Sequence, residues 1–327
     1  TRMESSAASD VYKRQAISMG YPDWTSFAEK LERYRQRVHS HFEQVFEAPQ
    51  SQEERDGDNV LQDVWLGHLE NEQARKVLAE AGYQSSEELA LKLSELKRSR
   101  LYHSLSSNGR ARLDRLMPLL LGAAVQFEQP DLAFSRVLDI VMHVARRSVY
   151  LALLVENPLA LSQLVKLCGA SPWLTRYLKQ YPLLLDELID VRSLYAPPGK
   201  PELRNELLTH MASVPAEDHE LAMDSLRQFR HTNVLRVAAA DLAGALPIMK
   251  VSDHLCWIAE TVLDEALEQA WTHMLGRQGR PACELEGEVG DQGFAVIAYG
   301  KVGGLEVGYS SDLDLLFLHA SEDANAM

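Results

Sequence analysis

Residues 293–318 read Gly-Phe-Ala-Val-Ile-Ala-Tyr-Gly-Lys-Val-Gly-Gly-Leu-Glu-Val-Gly-Tyr-Ser-Ser-Asp-Leu-Asp-Leu-Leu-Phe-Leu. The first eight residues are apolar and bounded by glycines, a pattern that predicts a short buried strand. Residues 312–318 predict a second strand. The stretch therefore has the order strand, Gly-Gly, Ser-Asp-x-Asp, strand, and this order is far more specific than any of its parts.

The two carboxylates of this stretch, Asp312 and Asp314, are separated by one residue. On a strand they would share one face, about 7 Å apart, with the intervening leucines turned to the core. Paired carboxylate oxygens suit Mg²⁺, which keeps waters and substrate phosphates in its shell, and the pair is suited to holding a Mg-nucleotide for phosphoryl or nucleotidyl transfer. An isolated Asp-x-Asp, by contrast, is usually a solvated strand end or turn.

The glycine pair and the serines predict a place for phosphate. Gly303 and Gly304 allow a close backbone approach, and their N–H groups can form an anion-binding concavity. Ser310 and Ser311 could donate further hydrogen bonds to phosphate, and Lys301 could reach phosphate or help to set the loop. Gly-Gly alone is usually a turn, but the combined order is that of the nucleotidyltransferase (DNA polymerase beta-like) fold.

The rest of the sequence predicts helices punctuated by proline. Apolar periodicity predicts a helix from Asp23 to Phe46, and polar residues 48–60 predict a linker. Further helices are predicted over about 108–127, bent or re-started near Pro118, and over about 130–156. Others are predicted from Pro158, Pro172 and Pro182, and over about 216–243 and 252–277. The segment 196–201, Ala-Pro-Pro-Gly-Lys-Pro, predicts a boundary. The fold class expected is mainly α: a helical bundle, followed by the start of an α/β nucleotidyltransferase domain truncated after its second strand.

Local signals refine these helices. Ser85 with Glu88 reads as a capping box, Gly82 suits a left-handed helix stop, and Ser252 suits an N-cap. The inward faces expected are Leu138, Val141, Ala145, Val149 and Leu153 for one helix, and Val234, Leu235, Val237, Ala238 and Leu242 for another.

Composition favours a globular protein of the cytoplasm. Apolar residues make up 46% of the 327, charged residues 24%, and the formal net charge is −14. This acidic balance argues against a dedicated nucleic-acid binder. No apolar run approaches the roughly 20 residues of a membrane span, and the cysteines Cys168, Cys256 and Cys283 are expected to be reduced thiols.

A family resemblance is carried by the same stretch. Two stretches, Ala-Tyr-Gly-Lys-Val-Gly-Gly at 298–304 and Gly-Tyr-Ser-Ser-Asp-Leu-Asp-Leu at 308–315, resemble the catalytic motif of the glutamine-synthetase adenylyltransferase family. The usual pattern of that family has Gly where this chain has Ala298 and Leu where it has Val302, and both changes are at packing positions. Leu-Cys-Gly-Ala-Ser-Pro-Trp-Leu at 167–174, Tyr-Pro-Leu-Leu-Leu-Asp-Glu-Leu at 181–188 and Pro-Ile-Met-Lys-Val-Ser-Asp-His-Leu at 247–255 resemble regions upstream of that motif.

The resemblance implies an enzyme that transfers AMP from ATP to a tyrosine of glutamine synthetase, with a separate half that removes it by phosphorolysis, and regulation by PII signal protein. It implies that Asp312 and Asp314 are the Mg²⁺ ligands and that Gly303, Gly304 and Ser311 cradle the nucleotide phosphates. The third carboxylate of this fold lies beyond residue 327 in the family. The polypeptide alone is therefore expected to be inactive.

Residue composition and the resemblance together predict a division of the chain, the leader and the linker from composition and the other parts from the resemblance. The expected parts are a non-native leader (1–15), the last helix of the adenylyl-removing half (16–47), a linker (48–60), a helical regulatory region (61–195) and the incomplete first part of the adenylyltransferase domain (196–327).

Asp241 and Asp253 are expected to be caps or surface groups. His143, His231 and His254 are expected to be ordinary histidines, and Trp173, Tyr177 and Tyr181 core residues.

Two alternatives stay open. The chain could belong to another nucleotidyltransferase acting on RNA or an antibiotic, although the acidic charge argues against RNA and the upstream match against both. It could also be a helical module that binds PII signal protein through residues of about 60–195 without catalysis.

Overall fold

The computed structural model describes residues 20–23, 26, 30, 60–215, 217–279 and 294–319. Almost all of these belong to one compact unit, Gly57–Met327. The described residues do not include the predicted leader or Cys283. They also leave out most of the predicted helix from Asp23 to Phe46 and most of the predicted linker 48–60. Cys168 and Cys256 are buried free thiols.

The described chain is mainly helical and ends in a small sheet, which confirms the expected fold class. Residues 60–66 are helical. The elements that follow are α1 (Asn71–Ala81), α2 (Ser86–Arg98), α3 (Arg100–Ser104), α4 (Ser107–Val125), α5 (Pro130–Val144), α6 (Ser148–Glu156), α7 (Pro158–Ala170), α8 (Pro172–Gln180), a 3₁₀ helix (Pro182–Leu188), α9 (Val191–Leu194), α10 (Lys200–Met211), α11 (His219–Leu242), α12 (Ile248–Gln278), β1 (Phe294–Tyr299), α13 (Gly300–Gly303) and β2 (Asp314–His319).

Proline sets the start of several helices, as the sequence predicts. Pro158, Pro172 and Pro182 each occupy the first turn of an element, where the missing N–H is not needed and φ is already helical. Gly82 ends α1 with φ of +113°, the left-handed conformation expected of it. Lys200 begins α10 with proline in its first turn, so the last two residues of 196–201 are helical, which the sequence did not predict.

Two predicted helix boundaries are wrong. The predicted helix over 130–156 is two helices, because the chain turns after Val144 and α6 packs against α4. Pro118 lies inside one uninterrupted α4, so the helix is not re-started there, and a bend at Pro118 stays a prediction; Leu116 and Leu120 beside it are fully buried. Helix α12 begins at Ile248 rather than after Ser252, because Pro247 supplies an extended residue directly before it.

The capping box predicted at Ser85 is also wrong. The Ser85 side chain makes no cap hydrogen bond. Instead the Asp131 carboxylate accepts from the backbone N–H groups of Gln84, at 2.9 Å, and Ser85, at 3.0 Å. A carboxylate from α5 thus ties down the start of α2, and local sequence gives no sign of it.

Two buried cores organise the helices. The first draws on residues 61–194 together with three residues of α11, and the second on α10, α11, α12 and the segment 302–307. Most of the predicted inward faces are buried. Val149 and Leu242 are not, with 71% and 39% of their surface exposed, because each lies near the end of its helix, where no element of the described residues covers it.

The sheet pairs β1 with β2 in antiparallel register, from Phe294 opposite His319 to Tyr299 opposite Asp314. Its residues alternate between half-buried and exposed in β1 and are mostly exposed in β2. The prediction of a buried first strand is therefore wrong for β1, whose residues are half-buried on one face and exposed on the other.

No helix among the described residues could by itself cross a membrane; α6 and α7 meet the length and composition required only as a pair bent by 103°. Both helices contribute fully buried leucines to the first core.

Candidate active site

The segment between the two strands forms a short helical turn and then a tight loop. Strand β1 ends at Tyr299, opposite Asp314 in the sheet. Helix α13 begins at the next residue, Gly300, and Gly304 closes it by donating its N–H to the carbonyl oxygen of Gly300 at 3.0 Å. The predicted glycine turn therefore lies at the end of the sheet where β2 begins.

The first glycine of this turn is required by its backbone and by its neighbour. Gly300 has φ of +56°, a conformation that costs a residue with a side chain about 1–2 kcal/mol. A Cβ at this position would also collide with the carboxylate of Asp314. Gly300 was not predicted as a site residue, although a glycine directly after a strand is the signal that would have found it.

The two predicted cradle glycines differ from each other. A Cβ on Gly303 would lie 2.7 Å from the carbonyl oxygen of Ala298, so this glycine is needed for the turn to pack on β1. Gly304 has φ of −88°, and a Cβ there would meet its nearest neighbour, the Gly300 oxygen, at 3.4 Å. The fold itself would therefore accept a side chain at position 304, but not at position 303.

The serines follow in a loop closed by two hydrogen bonds. The N–H of Gly308 donates to Ser311 Oγ at 2.9 Å, and the N–H of Ser311 donates to the Gly308 carbonyl oxygen at 3.1 Å. Ser311 Oγ acts as an acceptor here, so its own proton remains to donate outward. Ser310 is exposed at the tip of the loop, and Lys301 is exposed on α13.

The two carboxylates lie on either side of the start of β2. Asp314 is the first residue of the strand and Asp312 precedes it, so the prediction that both lie on one strand face is wrong: the strand begins where pairing with Tyr299 begins. Both side chains are exposed. The expectation that the intervening leucines turn to the core is wrong for Leu313, which is 39% exposed, whereas Leu315 is half-buried.

Two valines anchor the segment to the helices behind it. Val302 of α13 and Val307 are 3% and 6% exposed and belong to the second core. The same core contains Leu255 and Cys256 of α12. The turn therefore has a fixed base, and Gly303, Gly304, Ser310 and both aspartates are exposed to solvent around it, while Ser311 is half-buried.

Tyr309 provides a second anchor. Its hydroxyl donates to Asp241 Oδ2 at 2.7 Å, and its ring centroid lies 4.9 Å from that of Trp173. Burial, followed by the hydrogen bond to Asp241, raises the pKa of the Tyr309 phenol well above its ordinary value. Asp241 was expected to be a cap or surface group; it is the partner of a tyrosine 68 residues away, and no local sequence signal marks it.

The predicted aromatic and histidine residues of the helical region meet near this anchor. Trp173 stacks on Tyr177 with centroids 4.7 Å apart. Tyr177 is hydrogen-bonded to His231 Nδ1 at 2.7 Å, and the His231 ring stacks on Tyr181 at 3.7 Å. Burial, and secondarily the charge of Arg230, lowers the pKa of His231 to about 4. These residues are packed, as expected.

The segment carries the two predicted ligands, Asp312 and Asp314, and a third carboxylate, Glu306, whose Cγ and Cδ atoms lie 3.9 Å from the position of a Cβ built on Gly304. Within the described ranges, no three His, Cys, Asp or Glu side chains come together in a way that could hold a metal ion. Cavities of about 730 and 540 Å³ lie beside α12, against α10 and against the start of α11. Neither is lined by residues of the glycine turn or the Asp312 loop.

Comparison with known proteins gives one family. Residues 161–326 match the family model described as glutamate-ammonia ligase adenylyltransferase. The chain is 51% identical over 320 residues to the bifunctional glutamine synthetase adenylyltransferase/adenylyl-removing enzyme of Thioalkalivibrio sulfidiphilus, covering 96% of this chain and 33% of that protein. It is 50% identical over 313 residues to the protein of the same name from Nitrosococcus oceani, covering 94% and 32%. The chain thus spans about a third of the length of the curated relatives it matches.

Proposed function

The chain belongs to the glutamate-ammonia ligase adenylyltransferase family, and on that premise we propose that a protein carrying it transfers AMP from ATP to a tyrosine of glutamine synthetase. The observation that carries the proposal is the glycine turn closed directly against Asp314: a Cβ on Gly300 would strike that carboxylate. Backbone and carboxylate are thus brought together at one end of the sheet, where a phosphate chain and its cation would need both.

Each residue of the segment then has a role. Asp312 and Asp314 offer exposed carboxylate oxygens, the ligand type that Mg²⁺ prefers, and they would hold the ion. Gly304 leaves room for a phosphate to approach the backbone, and the Ser311 hydroxyl would donate to it. Ser310 and Lys301 lie exposed on the same segment and would add polar contacts. Bound Mg²⁺ supplies positive charge that offsets the charge developing on the phosphate oxygens.

The reaction proposed is an in-line displacement. The tyrosine oxygen of glutamine synthetase attacks the α-phosphorus of ATP, the bond from that phosphorus to the bridging oxygen breaks, and pyrophosphate leaves while the phenolic proton passes to solvent. The protein contributes by placing the phosphates and the cation.

We propose further that residues 1–327 alone do not catalyse transfer. The support is that no three His, Cys, Asp or Glu side chains of the described residues come together to hold a metal ion, whereas the fold that the chain resembles uses three carboxylates. Removal of AMP by phosphorolysis and binding of PII signal protein stay predictions for the whole protein.

The test is transfer of label from α-phosphate-labelled ATP to glutamine synthetase in the presence of Mg²⁺. The proteins compared are residues 1–327, a full-length protein that carries them, and the full-length Asp312→Asn and Asp314→Asn variants. Asp224→Asn is the matched control, because Asp224 is an exposed aspartate of α11, 65% exposed. We expect label with the full-length protein and the control only.

Two results would contradict the proposal. Label transferred equally well by Asp312→Asn would remove the metal role of the segment. No transfer by a folded full-length protein would remove the activity itself and favour the alternative, a helical module that binds PII signal protein; binding of that protein to residues 1–327 would then be measured directly.

A further inference from the structure

The side chain of Tyr309 lies where the two cores of the described unit meet. It packs against both clusters, and so does Trp173. Its ring contacts Trp173 of α8 at 4.9 Å between centroids, and its hydroxyl donates to Asp241 near the end of α11 at 2.7 Å. One face and one end of the tyrosine are therefore held by two helices remote from it in sequence.

Tyr309 also lies inside the loop that leads to the carboxylates. The loop is closed across it by the hydrogen bonds between Gly308 and Ser311, at 2.9 and 3.1 Å. Asp312 follows at once. A closed loop transmits a shift of its anchored side chain to both of its ends, because its backbone cannot absorb the shift without losing those hydrogen bonds.

The carboxylates have little else to hold them. Asp312 and Asp314 are exposed, and β2 is mostly exposed beyond them. On the other side, Val302 and Val307 hold the glycine turn and the start of the loop. Tyr309 is the described side chain nearest in sequence to Asp312 that is fixed to the helices by both a ring contact and a hydrogen bond.

We infer that Tyr309 is a positioning residue for the Asp312–Asp314 pair, and that Trp173 and Asp241 form its seat. Helix α8 of the predicted regulatory region is then part of the transferase site. The inference rests on the proposed metal role of the two carboxylates. Residues that orient metal ligands from behind typically change metal affinity or activity by about 10–100-fold when they are replaced.

Trp173 is itself held in place by residues of the helical region. Trp173 stacks on Tyr177 at 4.7 Å, and the Tyr177 hydroxyl is fixed by its hydrogen bond to His231. The Trp173 ring therefore contacts two aromatic rings, that of Tyr177 from its own helix and that of Tyr309 from the loop. Replacing Trp173 with a smaller apolar residue removes the surface against which Tyr309 rests.

The test measures the cation requirement rather than stability. In a full-length protein carrying this chain, AMP transfer is followed as Mg²⁺ is varied at saturating ATP, for wild type, Tyr309→Leu, Tyr309→Phe and Trp173→Leu. The matched control is Tyr83→Phe, which removes another buried tyrosine hydrogen bond, from Tyr83 to the carbonyl oxygen of Leu121 at 2.8 Å. Binding of Mn²⁺, read from the electron paramagnetic resonance of the free ion, is measured on the same proteins and needs no turnover.

We expect Tyr309→Leu and Trp173→Leu to raise the concentration of Mg²⁺ needed for half-maximal transfer about tenfold, and to weaken Mn²⁺ binding similarly. Tyr309→Phe keeps the ring on Trp173 and should recover most of the loss, while Tyr83→Phe should match wild type. A lowered rate with an unchanged cation requirement would overturn the positioning role and leave Tyr309 a packing residue.

The two proposals fail in different ways. Wild type that binds Mn²⁺ through Asp312 but transfers no AMP overturns the proposed function, and the Mn²⁺ affinities of the Tyr309 and Trp173 variants still decide the inference. Wild type whose Mn²⁺ binding is unaffected by Asp312→Asn overturns the inference with its premise.

Discussion

Replacing the adjacent glycines Gly303 and Gly304 with alanine should change the stability of the hairpin in opposite directions. A Cβ on Gly303 would lie 2.7 Å from the backbone oxygen of Ala298, and real Cβ contacts essentially never fall below 3.0 Å. The nearest atom to a Cβ on Gly304 is a backbone oxygen at 3.4 Å, an ordinary contact, and its φ of −88° is open to alanine. We therefore expect Gly303→Ala to destabilise the hairpin and Gly304→Ala to leave it intact or more stable.

The size of each effect follows from the contact. Alanine at 303 must move β1 or α13 by at least the 0.3 Å between 2.7 and 3.0 Å. Overpacking against backbone costs about 1–3 kcal/mol, whereas replacing glycine in a compatible conformation gains about 0.4–1 kcal/mol through the unfolded chain. The net expectation is a loss of about 1–2 kcal/mol for Gly303→Ala and a gain of up to about 1 kcal/mol for Gly304→Ala.

Hydrogen exchange followed by mass spectrometry measures this locally. Peptides covering 294–319 report the free energy of opening of the sheet, and peptides covering Pro158–Ala170, in the first core, are the internal control that neither variant should change. Faster exchange in Gly304→Ala than in Gly303→Ala would refute the reasoning, and so would equal exchange in both.

The same two variants separate folding from nucleotide binding. If Gly304 leaves room for a phosphate, Gly304→Ala should keep its exchange protection and still lose ATP affinity in the full-length protein. Retained affinity in a protected Gly304→Ala variant would remove Gly304 from the proposed phosphate cradle.

Three further predictions concern the helical region, each read from urea unfolding. The pKa of His231 is about 4 in the folded chain, against an ordinary value of 6.5. As pH drops, the unfolded chain therefore binds a proton before the folded chain does, and the free energy of unfolding should fall between about pH 6.5 and 4. His231→Gln should flatten this dependence. Asp114→Ala should cost about 1–3 kcal/mol because it leaves the buried indole N–H of Trp65, now donating to Asp114 at 2.8 Å, without its acceptor, and Asp114→Asn should cost less. Leu164 is fully buried, so Leu164→Ala should lower the free energy of unfolding by about 2–5 kcal/mol. Leu159 is 47% exposed, so Leu159→Ala should change it by no more than about 0.5 kcal/mol. Equal effects of the two variants would contradict the assigned core.

Sequence alone determined what short-range chemistry controls. Proline at a first helical turn and glycine at a left-handed stop act through their own φ, so the starts at Pro158 and Pro172 and the stop at Gly82 could be predicted without knowing any neighbour. The order of strand, glycine turn and paired aspartates is equally local, and it led to the fold class and to the family. The predicted segment is continuous in the chain, which is why its members could be found together.

Tertiary structure decided whatever depends on a distant partner. The start of β2 at Asp314 is set by pairing with Tyr299, and so a strand predicted from composition took in Asp312 wrongly. Asp131 caps α2 from another helix, and Asp241 receives the hydroxyl of a tyrosine 68 residues later. Periodicity orders the faces of one helix about its own axis, but it cannot say which neighbour meets a face or where that neighbour ends, and for that reason Val149 and Leu242 are exposed and Tyr309 has a seat that the sequence did not show.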